Sequence, residues 1–148
     1  MKNTQRTVAL HQLVDHVVVS LIHRVVQQRS FIINDLKQEM LVTTDENILT
    51  TVLSSLLDTT ISNTQNNCIR VSAKFFGNII LIYIKDNDDG HDTAIFECLH
   101  QVERVAEKLG GCVTLTNNKV KGTTVAFSFY NGQNPAKQNY VVPAKFIP

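Results

Sequence analysis

The sequence predicts a two-layer α/β (α+β) sandwich, in which a mixed sheet carries three helices on one face. Three observations predict it. Apolar residues recur at helical spacing in three separate segments, about 8–28, 45–62 and 94–109. Pairs of short runs with strand character stand between and after those segments. One run, Ile79-Ile-Leu-Ile-Tyr-Ile, is apolar throughout, as a central strand should be.

From Val8 to Gln28, one helical stripe holds Leu13, Val14, Val17, Val18, Leu21 and Val25, and would pack on the sheet. A second stripe holds Val8, Val19, Ile22 and Val26 and is left over, which points to a partner or a second copy. Valine-rich sequence has modest helix propensity, so packing must hold this helix. Phe31-Ile-Ile-Asn and Met40-Leu-Val-Thr are expected to be short strands. Thr44 or Asp45 caps the next helix, whose inner face is Ile48, Leu49, Val52, Leu53, Leu56, Leu57 and Ile61. After the polar turn Asn63-Thr-Gln-Asn-Asn, Cys68 to Phe75 alternates like a half-buried strand, and Gly77-Asn78 turns it into the central strand. Asp86-Asn-Asp-Asp-Gly-His-Asp is a loop. Ala94 to Leu109 is the third helix, with Ile95, Cys98, Leu99, Val102, Val105 and Leu109 inward and Gly110-Gly111 ending it. Two further strands, Val113-Thr-Leu-Thr and Thr123 to Phe129, flank a turn over 117–122. Residues 1–130 form the domain, and 131–148 form a flexible C-terminal tail whose apolar close, Tyr140 to Pro148, is able to dock.

A chain of 148 residues accommodates one domain with a sizeable core. Fourteen Lys and Arg against thirteen Asp and Glu give a net charge of +1, which leaves no electrostatic footprint for nucleic acid or for an acidic membrane surface. No apolar run approaches the roughly 18 residues of a membrane span, and no signal-peptide core follows the N-terminus. The expectation is a cytoplasmic protein without membrane insertion. Cys68, Cys98 and Cys112 form no Cys-x-x-Cys pair, so they are read as buried small hydrophobes in a reducing compartment.

Four signatures, in order, resemble the histidine-kinase-like (GHKL/Bergerat) ATPase domain shared by sensor kinases, gyrase and MutL, and the sensor-kinase branch most of all. The resemblance covers about residues 9–130 and implies a mostly antiparallel mixed sheet. In the helix after Asp45, Leu49, Leu56 and Leu57 keep the hydrophobic frame of the family's Asn-Leu-Leu-x-Asn-Ala helix. Ile84-Lys-Asp-Asn-Asp-Asp-Gly matches the Asp-x-Gly-x-Gly motif at Asp86 and Gly90. Leu99 to Gly111 resembles the helix that closes on Gly-Gly, and Lys121-Gly-Thr-Thr matches the final Gly-Thr strand at Gly122 and Thr123.

The resemblance implies that Asp86 and Gly90 meet an adenine, with Thr123 assisting the aspartate. The departures are equally specific. The family's two asparagine positions fall on Ser55 and Thr59, and a threonine hydroxyl is a poor replacement for the carboxamide that holds magnesium. Asp88 stands where the family has its first glycine, which crowds carboxylates where a polyphosphate would arrive. No phosphate-binding Gly-x-Gly-Leu-Gly segment precedes Leu99, and His91 to Phe96 is too short for the usual lid. Without these parts, phosphoryl transfer has neither positioning nor charge neutralisation.

The expected function is therefore a non-catalytic signalling or interaction module with a degenerate nucleotide pocket: Ser55, Thr59, Asp86, Gly90 and Thr123. No catalytic residue, metal ligand or cofactor is assigned, ATP with magnesium being what an intact pocket would take. Val19, Ile22 and Val26 form the expected interface, toward a second copy or a sensor-kinase partner. The alternative is a functional ATP- or ADP-binding domain, or a weak kinase of the anti-sigma type. Plainer readings stand beside these: Ser55 and Thr59 as ordinary helix residues, Asp86 as a polar strand end, residues 86–92 as a solvated turn. The histidines, His11, His16 and His23 included, are surface or boundary residues, because no phospho-acceptor hairpin precedes the ATPase-like helix.

Overall fold

A computed structural model describes residues 4–87, 93–118 and 122–132, with the side chains of 93–98 and 117–118 left aside. The chain begins with β1 (Gln5–Ala9), α1 (Leu10–Ser20) and α2 (Ile22–Gln27). Then come β2 (Phe31–Asn34), β3 (Leu41–Asp45), α3 (Glu46–Ser62), β4 (Cys68–Phe76) and β5 (Ile79–Asp86). It closes with α4 (Thr93–Ala106), a 3₁₀ turn (Glu107–Leu109), β6 (Cys112–Asn118) and β7 (Gly122–Tyr130).

The main sheet has the order β2-β4-β5-β7-β6. Only β2 runs parallel to its neighbour; the other pairs are antiparallel. The predicted mixed, mostly antiparallel sheet is present, and the apolar run Ile79–Ile84 is its central strand. The helices cover one face, where α1, α2, α3 and α4 share a single core with the inward residues of β4, β5 and β7.

The N-terminal segment departs from the expectation. Val8 lies on no helix: it is in β1, paired with Val42 of β3 and 4% exposed. A five-residue strand pair satisfies that backbone better than an uncapped extra turn of valine-rich helix would. The expected single helix is also divided at Leu21, whose φ of −107° and ψ of 9° leave the helical region. Just before the break, Ser20 Oγ donates to the Val17 carbonyl at 2.6 Å, a back-bond that competes with helix continuation. Further, β2 and β3 do not pair with each other; β3 joins β1 in a separate two-stranded sheet.

The helix α3 is the spine of the layer. Leu49, Val52, Leu53, Leu56, Leu57 and Ile61 are all fully buried, at the positions its periodicity predicted. Asp45 caps it: one carboxylate oxygen accepts from the N–H groups of Asn47 and Ile48, each at 3.1 Å. The Thr4 hydroxyl, those two amides and Arg6 hold the Asp45 carboxyl below its usual range, against the opposing effect of burial. Removal of such a cap by Asp45→Ala is expected to cost about 1 kcal/mol in denaturant unfolding at neutral pH. Because the folded pKa is depressed, the ionised cap contributes fully above the ordinary carboxylate pKa. The difference between wild type and variant should then shrink as pH falls below about 4.

In β5 the alternation sends Ile80, Ile82, Ile84 and Asp86 toward the helices, and Ile79, Leu81, Tyr83 and Lys85 to the outer face. Residues 131–132 are tied down. The Asn131 N–H donates to Asn78, the Gly132 N–H to Thr43, and Asn131 Oδ1 accepts from the Thr43 N–H. Residues 133–148 lie outside the described residues. Among the described residues, no helix is long and apolar enough to cross a membrane.

Candidate functional site

Asp86 is the last residue of β5, and the two-residue period aims it into the helix-covered side. Its neighbour across the ladder is Thr123 of β7, and each is only 1% exposed. A third polar residue completes the cluster. Thr64, just beyond the end of α3, is 0% exposed, and its hydroxyl donates to Asp86 Oδ2 at 3.3 Å. A buried carboxylate is costly unless hydrogen-bonded, so Thr64 is part of what holds Asp86 there.

Gly122 makes the close approach of β7 possible. Its φ is +85°, and a Cβ on it would lie 2.1 Å from the Asp86 carbonyl oxygen. The glycine of the Gly-Thr pair thus sets the distance at which Thr123 stands beside Asp86. Gly90 and its neighbours 88–92 lie outside the described residues.

Ser55 and Thr59 sit one turn apart on α3, so they share a side of the helix. Both are half-buried. Ser55 lines a groove of about 210 Å³ between α3 and α4, with Thr51, Val52, Gln101, Val102 and Val105. That is below the roughly 300 Å³ at which ligand pockets begin. The Thr59 carbonyl accepts from Asn63 Nδ2 at 2.8 Å. The structure therefore brings Asp86 and Thr123 together with Thr64, while Ser55 lines the groove between α3 and α4. Among the described residues no group of His, Cys, Asp and Glu is placed to hold a metal ion.

Thr64 escaped sequence reading. It stands in a run of polar turn residues, and its contact with Asp86 spans 22 positions, so nothing local marks it. Thr64 is one of the partners of the Asp86 carboxylate, which as an ionised group acts only as an acceptor.

The expected interface residues are on the surface. Val19 is 68% exposed, Ile22 45% and Val26 68%. His11 is tethered rather than free: Nδ1 lies 2.7 Å from the Leu36 carbonyl and Nε2 lies 3.4 Å from Asp15. His16 and His23 are exposed. Cys68 and Cys112 are half-buried free thiols rather than fully buried ones, because each starts a strand at the sheet's margin; the Cys98 side chain lies outside the described residues.

No protein-family model matches the chain, and no curated protein matches it in sequence. Solved structures do match. The Acinetobacter baumannii histidine kinase AdeS superposes with a TM-score of 0.77 at 17% identity, over 90% of this chain and 70% of that one. The catalytic domain of histidine kinase ThkA superposes at 0.67 with 14% identity, over 88% of this chain and 97% of that domain. The mycobacterial sensor histidine kinase MprB gives 0.68 at 14% identity, over 85% and 97%. The chain spans only 33% of full-length ShkA, which was solved in complex with AMPPNP. Sheet order, helix layer and these superpositions agree: the chain has the fold of a histidine-kinase-like ATPase domain.

Proposed function

We propose that the chain is a non-catalytic signalling module, a histidine-kinase-type ATP-binding fold that works by binding another protein in the cytoplasm. The observation that carries this reading is the exposure of Val19, Ile22 and Val26, three large apolar side chains left uncovered on either side of the α1–α2 break. Exposed apolar surface of this kind invites coverage by a second copy or by a sensor kinase. Ser55 and Thr59, at the asparagine positions of the kinase helix, support the loss of phosphoryl transfer, since neither offers magnesium a carboxamide oxygen.

Sedimentation of the full chain tests the interface. Dimers are expected, and Val19→Glu or Ile22→Glu should yield folded monomers, because both positions are exposed and a buried glutamate pair would be repulsive only at the interface. Dimers that survive both substitutions would sink this face. A wild-type chain that is monomeric at every concentration reached would move the interface to a heterologous partner.

One observation favours a second reading, a working adenine-nucleotide site. Asp86 and Thr123 are ladder partners at the end of β5 with Gly122 beside them, which are the positions the family resemblance assigns to adenine recognition. Calorimetric titration with ATP and ADP, with and without magnesium, separates the two. The non-catalytic reading expects no magnesium-dependent heat. Micromolar binding that disappears in Asp86→Asn would establish the second reading instead.

A further inference from the structure

Part of the outer face of the sheet, around Ile79, Leu81, Ala126 and Tyr130, is buried without a described layer over it. The strand register lays that face out as rows: Phe76–Ile79–Tyr130, then Lys74–Leu81–Ser128–Cys112, then Ser72–Tyr83–Ala126–Thr114, then Arg70–Lys85–Thr124–Thr116. The helices are all on the opposite side, and the cluster formed here by Ile79, Leu81 and Tyr130, with Tyr83 packed against it, comes from β5 and β7 alone. Yet Ile79 is 4% exposed, Leu81 1%, Ala126 4% and Tyr130 5%. Neighbours in the same sheet face shield each other's flanks but leave the tips open, so such values need a cover.

Two further observations agree. Thr114 Oγ1, in the third row, is buried with no hydrogen-bond partner. Burial also raises the Tyr83 phenol above its ordinary pKa. The face is apolar at Ile79 and Tyr130 and carries the cations Lys74, Arg70 and Lys85 in the rows beyond.

We propose that the segment Tyr140–Ile147 of this chain docks across the outer face, over Ile79, Leu81 and Tyr130. Gly132, tied to Thr43, delivers the chain beside the apolar row. The polar stretch 133–139 then spans up to about 23 Å, more than the roughly 19 Å width of five strands, so reach is no obstacle. The segment supplies Tyr140, Val141, Val142, Phe146 and Ile147. Pro143 removes an N–H and so favours lying on a sheet face over joining a ladder.

Methyl-resolved nuclear Overhauser spectra of the full chain test this. Contacts are expected between the methyls of Val141, Val142 or Ile147 and those of Ile79 or Leu81. Phe146→Asp and Val142→Asp, which lie outside every described element, should abolish those contacts and shift the Leu81 methyls. Absence of the contacts in the wild-type chain overturns the proposal. So do contacts seen only between differently labelled chains in a mixed sample, which would make a second copy the cover.

Discussion

Gly122→Ala is expected to be among the most damaging single substitutions in the chain. Two costs add. A φ of +85° is strained for any residue with a Cβ, by about 1–3 kcal/mol. The new Cβ would also stand 2.1 Å from the Asp86 carbonyl oxygen and 2.8 Å from Asn87 Cα. Both contacts are backbone, so no side chain can turn aside; β7 must move away from β5 at the Asp86–Thr123 pair. A loss of more than about 3 kcal/mol is expected in denaturant unfolding. Gly77→Ala is the control. Its φ is +59° but no atom lies within 4 Å of the added Cβ, so only about 1–2 kcal/mol of backbone strain should appear. Equal losses in the two variants would show that the close approach of β7 is soft.

Much of the fold is legible because its signals are local. The α3 face, the Asp45 cap, the Gly77–Asn78 hairpin and the uniformly apolar β5 each follow from periodicity or turn chemistry within a short window. Most of what failed was non-local. Val8 has the spacing of a helical residue and the environment of a strand, and only its pairing with Val42 decides between them. The partner of β2 is equally invisible: β2 and β3 are neighbours in sequence, but β2 runs parallel to β4. The break at Leu21 rests on a serine back-bond too common in helices to be diagnostic.

The site divides in the same way. Asp86 and Thr123 were legible through short motifs, and the register sets them opposite each other. Thr64 was not, since a threonine in a polar turn carries no mark of the buried carboxylate it will meet. The burial of Leu81 was half legible. A strand apolar on both faces announces two covers, but the sequence does not say which segment supplies the second.

Phe127→Ala carries the largest expected loss in the core. Phe127 is 0% exposed, and its ring stacks on Phe129 with centroids 5.1 Å apart and planes 20° from parallel. Deletion of a buried phenyl ring costs about 3–5 kcal/mol, through lost transfer energy and the cavity left behind. A domain of this size has about 5–15 kcal/mol in total, and each kilocalorie lowers the melting midpoint by about 2–4 °C. A fall on the order of 10 °C is therefore expected in thermal unfolding. Phe75→Ala, at a site 44% exposed, should cost far less. The comparison also bears on the site. Phe127, Val125 and Thr123 share one face of β7, so a loosened Phe127 frees the strand that presents Thr123 to Asp86. If the cluster is a structural polar seam, stability alone should respond. If it binds a nucleotide, saturating ligand should raise the melting midpoint of Phe127→Ala while leaving that of Asp86→Asn unchanged.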